Sequence, residues 1–183
     1  MTKKIGFFFF VLLISTQLIG QPKNHWIDLR LGTGLTLLGS GDMVTFNVEN
    51  ELNYHLGKYF TLAPSFTMGR SNVGVSETAS FAQGNFNLFL SPLGSHKRID
   101  FRIGGGYSLY RVSDAYMSGM ELVGDEYVDD YIFSNRTSSG FSIIIENSVQ
   151  VTDRFLIGFK LYTQPYNNGD LNSGILMKMG LKI

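Results

Sequence analysis

No cysteine occurs in this 183-residue chain, which excludes disulfides, lipid attachment through a cysteine and thiolate metal sites. Proline is scarce, at four residues. Net charge is missing too, because 15 Lys and Arg balance 15 Asp and Glu. That balance argues against a nucleic-acid partner, since phosphate recognition calls for a basic stripe. Histidine is limited to His25, His55 and His96. No cofactor and no metal is implied. What abounds is glycine (21), phenylalanine (15) and tyrosine (9). Many short strands joined by tight turns fit that mixture, and a helical bundle does not.

The chain also lacks an apolar run long enough to cross a bilayer as a helix. Residues 5–14 form an uncharged apolar stretch of only ten residues, preceded by Lys3 and Lys4. A positive start followed by a short apolar run reads as a secretory signal peptide rather than a membrane anchor. Cleavage is expected after Gly20, making residues 1–20 the signal and 21–183 the mature domain. The mature part carries 13 basic and 15 acidic residues.

From Trp26 onward, eight segments alternate with period two: residues 27–37, 44–56, 60–68, 82–90, 99–109, 141–150, 155–164 and 174–183. Alternate side chains of a strand point to opposite faces, so each segment has one apolar and one polar face. In the last segment, Ile175, Met177, Met179, Leu181 and Ile183 share one parity. Leu176, Lys178, Gly180 and Lys182 take the other. This closing strand resembles that of the small OmpA/OmpX-type outer-membrane barrels and the similar eight-stranded proteins of Bacteroidota-like bacteria. The family's last residue is usually aromatic, whereas here it is Ile183. The resemblance implies an all-β, eight-stranded antiparallel up-and-down transmembrane β-barrel in the bacterial outer membrane. Its partners would be outer-membrane lipid and the barrel-assembly machinery, which reads the C-terminal strand. It carries over no specific functional residue.

Which face is the inside decides between a soluble and a membrane barrel. The apolar parity is bulky on every segment, and the other is rich in Gly, Ser, Thr and Asn, as a narrow eight-stranded lumen requires. Charges on that second parity nearly cancel: Asp28, Glu49, Glu51, Asp100 and Glu146 against Arg30, Arg102, Lys160, Lys178 and Lys182. Buried charges are tolerable only when paired, so the set reads as a lumen ion-pair network with the apolar face turned to lipid. Two residues sit badly in this scheme. Asn50 falls on the lipid face, and Pro64 lies where a closed barrel needs ladder hydrogen bonds. A bulge in the second or third strand would accommodate both.

With both termini periplasmic, residues 57–58, 91–98 and 152–153 are inner turns, and residues 39–43, 69–80, 112–139 and 165–173 are outer loops. The third outer loop has no Lys or Arg between Arg111 and Arg136, yet it carries Asp114, Glu121, Asp125, Glu126, Asp129 and Asp130. It is expected to form a hairpin about Gly124-Asp125 that extends the fifth and sixth strands. Such a ribbon offers an edge to a basic or metal-bridged extracellular partner. The plainer reading, which comes first, is a solvated acidic loop that repels an anionic cell surface. Catalysis by a lipid-modifying barrel needs a His with Ser and an acid near the outer leaflet. No histidine reaches the outer rim on this topology, so no catalytic residue is assigned and a non-enzyme is expected. The leading reading is a plugged barrel acting structurally or through its outer loops. The others are a narrow channel or hydrophobic-ligand conduit and, behind it, an enzyme.

Overall fold

The alternating segments are strands, and they close on themselves. The structure, a computed structural model, describes residues 26–39, 43–73, 77–95, 97–123 and 126–183, with 72, 73, 77, 120–123 and 126–130 described by backbone alone. The expected signal peptide, His25, His96 and Asp125 lie outside the described residues. Eight antiparallel strands follow in order: β1 (Ile27–Leu38), β2 (Met43–Leu56), β3 (Phe60–Val73), β4 (Glu77–Leu90), β5 (Ile99–Val123), β6 (Glu126–Gln150), β7 (Phe155–Pro165) and β8 (Leu171–Lys182). Each pairs with its neighbours in sequence, and β1 pairs with β8, giving a closed up-and-down barrel. Closure satisfies every strand edge, which an open sheet in lipid could not do.

Parity sorts the side chains as an inverted barrel demands. Ile143 and Met179 are 52% and 54% exposed on the outer wall, while Glu49 and Lys160 are each 2% exposed inside. Trp26, Tyr54, Tyr59, Phe60 and Phe155 are exposed near one end, forming an aromatic belt on the side of the short turns. Two of those turns use a glycine in the left-handed region, Gly57 (φ 77°) and Gly94 (φ 93°), where a Cβ would be strained.

Two expectations need correction. Residues 69–80 are not a loop: β3 runs on to Val73 and β4 begins at Glu77. No bulge occurs in β2 or β3. The β2–β3 register is the same on both sides of Pro64, with Glu51 opposite Ser65 and Tyr54 opposite Leu62. Between them Leu52 and Asn53 form no pair with β3. Proline withholds its N–H, so the ladder has a gap without an extra residue to shift it. Asn50 stays on the outer wall between Leu31 and Phe66. The register shift instead lies between Met117 and Gly119 of β5. Residues 112–139, expected as an outer loop whose hairpin extends the fifth and sixth strands, form that two-stranded extension over the described residues. At 25 residues each, β5 and β6 are more than twice the roughly 9–11 residues that cross a bilayer.

Candidate functional site

The lumen is filled in layers, and each layer follows from which strands bring polar residues to one height. Nearest the turn end, His55 bridges Asp28 and Thr61: Nε2 lies 2.8 Å from Asp28 Oδ2 and Nδ1 lies 2.9 Å from Thr61 Oγ1. Arg30, two residues beyond Asp28 on the same strand face, donates to both carboxylate oxygens at 2.6 and 3.1 Å. It also contacts Glu146 across the lumen. Asp100 lies 3.8 Å from Arg30, and neither of its oxygens accepts a hydrogen bond among the described residues.

Above this, β5, β6, β7, β8 and β2 contribute a continuous ionic layer. Arg102 donates to Glu51 at 2.6 Å, to Glu146 at 2.8 Å and to Asn53 Oδ1 at 2.6 Å. Its guanidinium lies 4.0 Å from the centre of the Phe89 ring. Lys160 meets Glu49 at 2.8 Å and Glu51 at 3.2 Å. Lys178 meets Glu51, Glu49 and Glu146 at 2.7, 3.0 and 3.2 Å. Every one of these side chains is buried. Taking such ions out of water costs several kcal/mol each, offset only by dense pairing. The layer is therefore better evidence for a specified, closed lumen than for stability. Lys182, counted by sequence among the compensating bases, donates instead to Gln150 Oε1 at 2.8 Å.

Beyond the ions the chemistry turns neutral. Tyr162 Oη meets Thr36 Oγ1 at 2.5 Å and accepts from Asn47 Nδ2 at 2.9 Å. A layer of amides comes next: Gln83 donates to Gln164 at 2.8 Å, Gln164 to Asn85 at 3.1 Å and Asn172 to Gln83 at 3.1 Å. Apolar groups share the interior as well. Ala63, Phe89, Ile144, Tyr162 and Leu176 make one cluster. Gly104 is required there, because a Cβ on it would lie 2.4 Å from the Phe89 ring. At the loop end, Tyr110 and Tyr166 stack at 4.5 Å and pack in one cluster with Phe81 and Val112. Sequence reasoning missed Phe81, Phe89 and Ile144 as lumen residues, although their parity was readable.

The acidic third loop divides. Asp114 is not part of a free acidic surface. It lies in β5 and pairs with Arg136 of β6 at 2.7 Å, and Arg136 also donates to Asp170 at 2.8 Å. Glu121, Glu126, Asp129 and Asp130 lie in the distal ribbon, where Glu121 faces Val128 and Val123 faces Glu126 in register. Among the described residues, no group of three or more His, Asp or Glu side chains is arranged to hold a metal ion.

A closed antiparallel barrel with ions inside and hydrocarbon outside is an eight-stranded transmembrane β-barrel. No family model matches the sequence, and no curated protein matches it. Solved structures do. Ail, the attachment invasion locus protein of Yersinia pestis, superposes with a TM-score of 0.62 at 7% identity, covering 88% of this chain and all of Ail. Neisserial surface protein A gives 0.60 at 14% identity, covering 86% of this chain and 96% of its own. The outer membrane protein OprG from Pseudomonas aeruginosa gives 0.57 at 10% identity, covering 89% and 98%. At such identities the likeness is one of fold. It is the fold of small outer-membrane barrels.

Proposed function

We propose that this protein is a sealed outer-membrane barrel that works through its loop end. Residues 1–20 export it, the β8 strand is recognised by the assembly machinery, and the turn end faces the periplasm. The observation that carries this reading is the ionic layer. Arg30, Arg102, Lys160 and Lys178 interlock with Asp28, Glu49, Glu51 and Glu146 across the barrel axis. The amide and tyrosine layers above it leave a hydrated ion no straight path. Surface presentation is then what the scaffold offers, and the β5–β6 ribbon reaches farthest. One of the fold neighbours, Ail, has been crystallised with the heparin analogue sucrose octasulfate, so ligand binding has a precedent on this architecture.

An enzymatic role is not favoured. His55 is buried at the turn end between Asp28 and Thr61, far from the leaflet where the loops emerge. Planar-bilayer recording tests the seal: the purified barrel should insert without a steady current. A stable, voltage-independent conductance would replace this reading with the channel. Membrane fractionation together with heat-modifiable gel migration tests the location, and a protein recovered in the soluble fraction would end it.

A further inference from the structure

The described residues do not fill the loop end of the lumen. A cavity of about 620 Å³ opens there, within the size range of roughly 300–1,000 Å³ typical of small-molecule sites. Leu38, Met43 and Ala79 give it an apolar side. The adjoining wall is the chain Asp114–Arg136–Asp170, with Asp114 the cross-strand partner of Ala79. Two acids and one base leave that wall with one net negative charge. Arg136 already donates to both carboxylates, so its guanidinium is poorly disposed to receive an anion. The carboxylates retain capacity. Asp114 Oδ1 is buried and has no hydrogen-bond partner among the described residues.

Beneath the wall sits a second unmet group. Tyr110 is 1% exposed, and its hydroxyl also has no partner among the described residues. It packs with Leu38 and Ala79, which line the cavity, and lies within the fields of Asp170, Arg136 and Asp114. Tyr110 itself does not line the cavity; the unpaired carboxylate oxygen of Asp114, which does, costs free energy that a bound donor would recover. The donor must be cationic to suit the net charge and must carry an apolar body to suit Leu38, Met43 and Ala79. The acidic sequence of the ribbon above, from Glu121 to Asp130, would draw cations toward the mouth.

We propose that this vestibule binds an organic ammonium group with a short apolar stem, seated on Asp114. The site is independent of the seal below it. A pore current would overturn the sealed lumen and leave this site standing, whereas a failed titration would remove the site and leave the seal.

The test is a titration of the full barrel in detergent micelles, followed by backbone amide NMR. The probes are phenethylamine, the neutral isostere 2-phenylethanol, and Nα-acetyl-lysinamide. Saturable shifts confined to the surroundings of Leu38, Met43, Ala79, Asp114, Arg136 and Asp170 are expected with the amine, and at least tenfold weaker binding with the alcohol. Asp114→Asn should weaken amine binding at least tenfold while gel migration stays that of the folded barrel. Asp170→Asn serves as the second variant, with a smaller loss in the same direction. A preference for acetyl-lysinamide would assign the pocket to a basic side chain of a partner protein, and one for phenethylamine to a free aromatic amine. Equal binding of amine and alcohol overturns the proposal. So does amine binding that Asp114→Asn leaves unchanged, or no saturation by either cation with wild-type protein.

Discussion

Below the level of Tyr162 the lumen is held by charges, with Glu146 alone accepting from Arg30, Arg102 and Lys178. Above it the same cylinder is held by amides and stacked phenols, and it ends in an open cavity. Both halves face the same problem, filling a narrow tube lined by alternate residues of eight strands. The charged half is close to self-completing: Asp100 and Arg102 Nε aside, its donors and acceptors answer one another, and among the described residues it holds no cavity of comparable size for a ligand. In the open half, Tyr110 and Asp114 retain unmet polar atoms. A single barrel thus separates a structural end from a receptive one.

Removing a hub of the charged half should have the largest effect. Glu146→Ala leaves a buried layer one carboxylate short, although Arg30, Arg102 and Lys178 keep Asp28, Glu51 and Glu49. It should cost about 3–5 kcal/mol, read as a lower urea midpoint for the barrel in lipid vesicles. A loss below about 1 kcal/mol, the scale of exposed pairs, would mean that water reaches this layer and that the two halves are alike. Next comes the outer wall. Ile143→Arg should cost about 2–4 kcal/mol at the bilayer midplane, visible in the same titration. An unchanged midpoint would show that this face does not meet hydrocarbon. In the neutral half, Tyr162→Phe removes the hydroxyl shared by Thr36 and Asn47 and should cost about 1–3 kcal/mol, with no pore current. Smallest is Arg136→Ala. Its side chain is 34% exposed, so stability should fall by only about 0.2–1 kcal/mol. Losing both rim pairs should show instead as faster amide exchange at residues 168–170.

How much of this was readable follows a physical line. Alternation is imposed by lipid, so wherever a strand crosses the bilayer its parity stood out, as in β8. Once a hairpin rises above the membrane both faces meet water and the pattern dissolves, although the backbone pairing continues. That is why Arg70, Ser71 and Ser80 read as loop although they lie in β3 and β4. The ribbon of β5 and β6 was recovered only because Gly124-Asp125 carries a turn signal of its own. Parity also puts Arg30 and Glu146 on the inner face. Their meeting depends on barrel closure across 116 positions of sequence, and no local pattern encodes that. Pro64 misled for a related reason: sequence shows a missing donor, but not whether the neighbouring strand shifts or merely leaves a gap.

The pairing of β1 with β8, from Asp28 opposite Lys182 to Leu37 opposite Ser173, reaches from the first described strand to the last. A chain arrested anywhere short of its final strand is an open sheet with two raw margins, which hydrocarbon cannot satisfy. Partial products therefore have no resting place in the bilayer, and zipping this seam must be a late step, since it joins the positions most distant along the chain. Trimming β8 should yield no smaller barrel, only a polypeptide left at the membrane surface for proteases to clear.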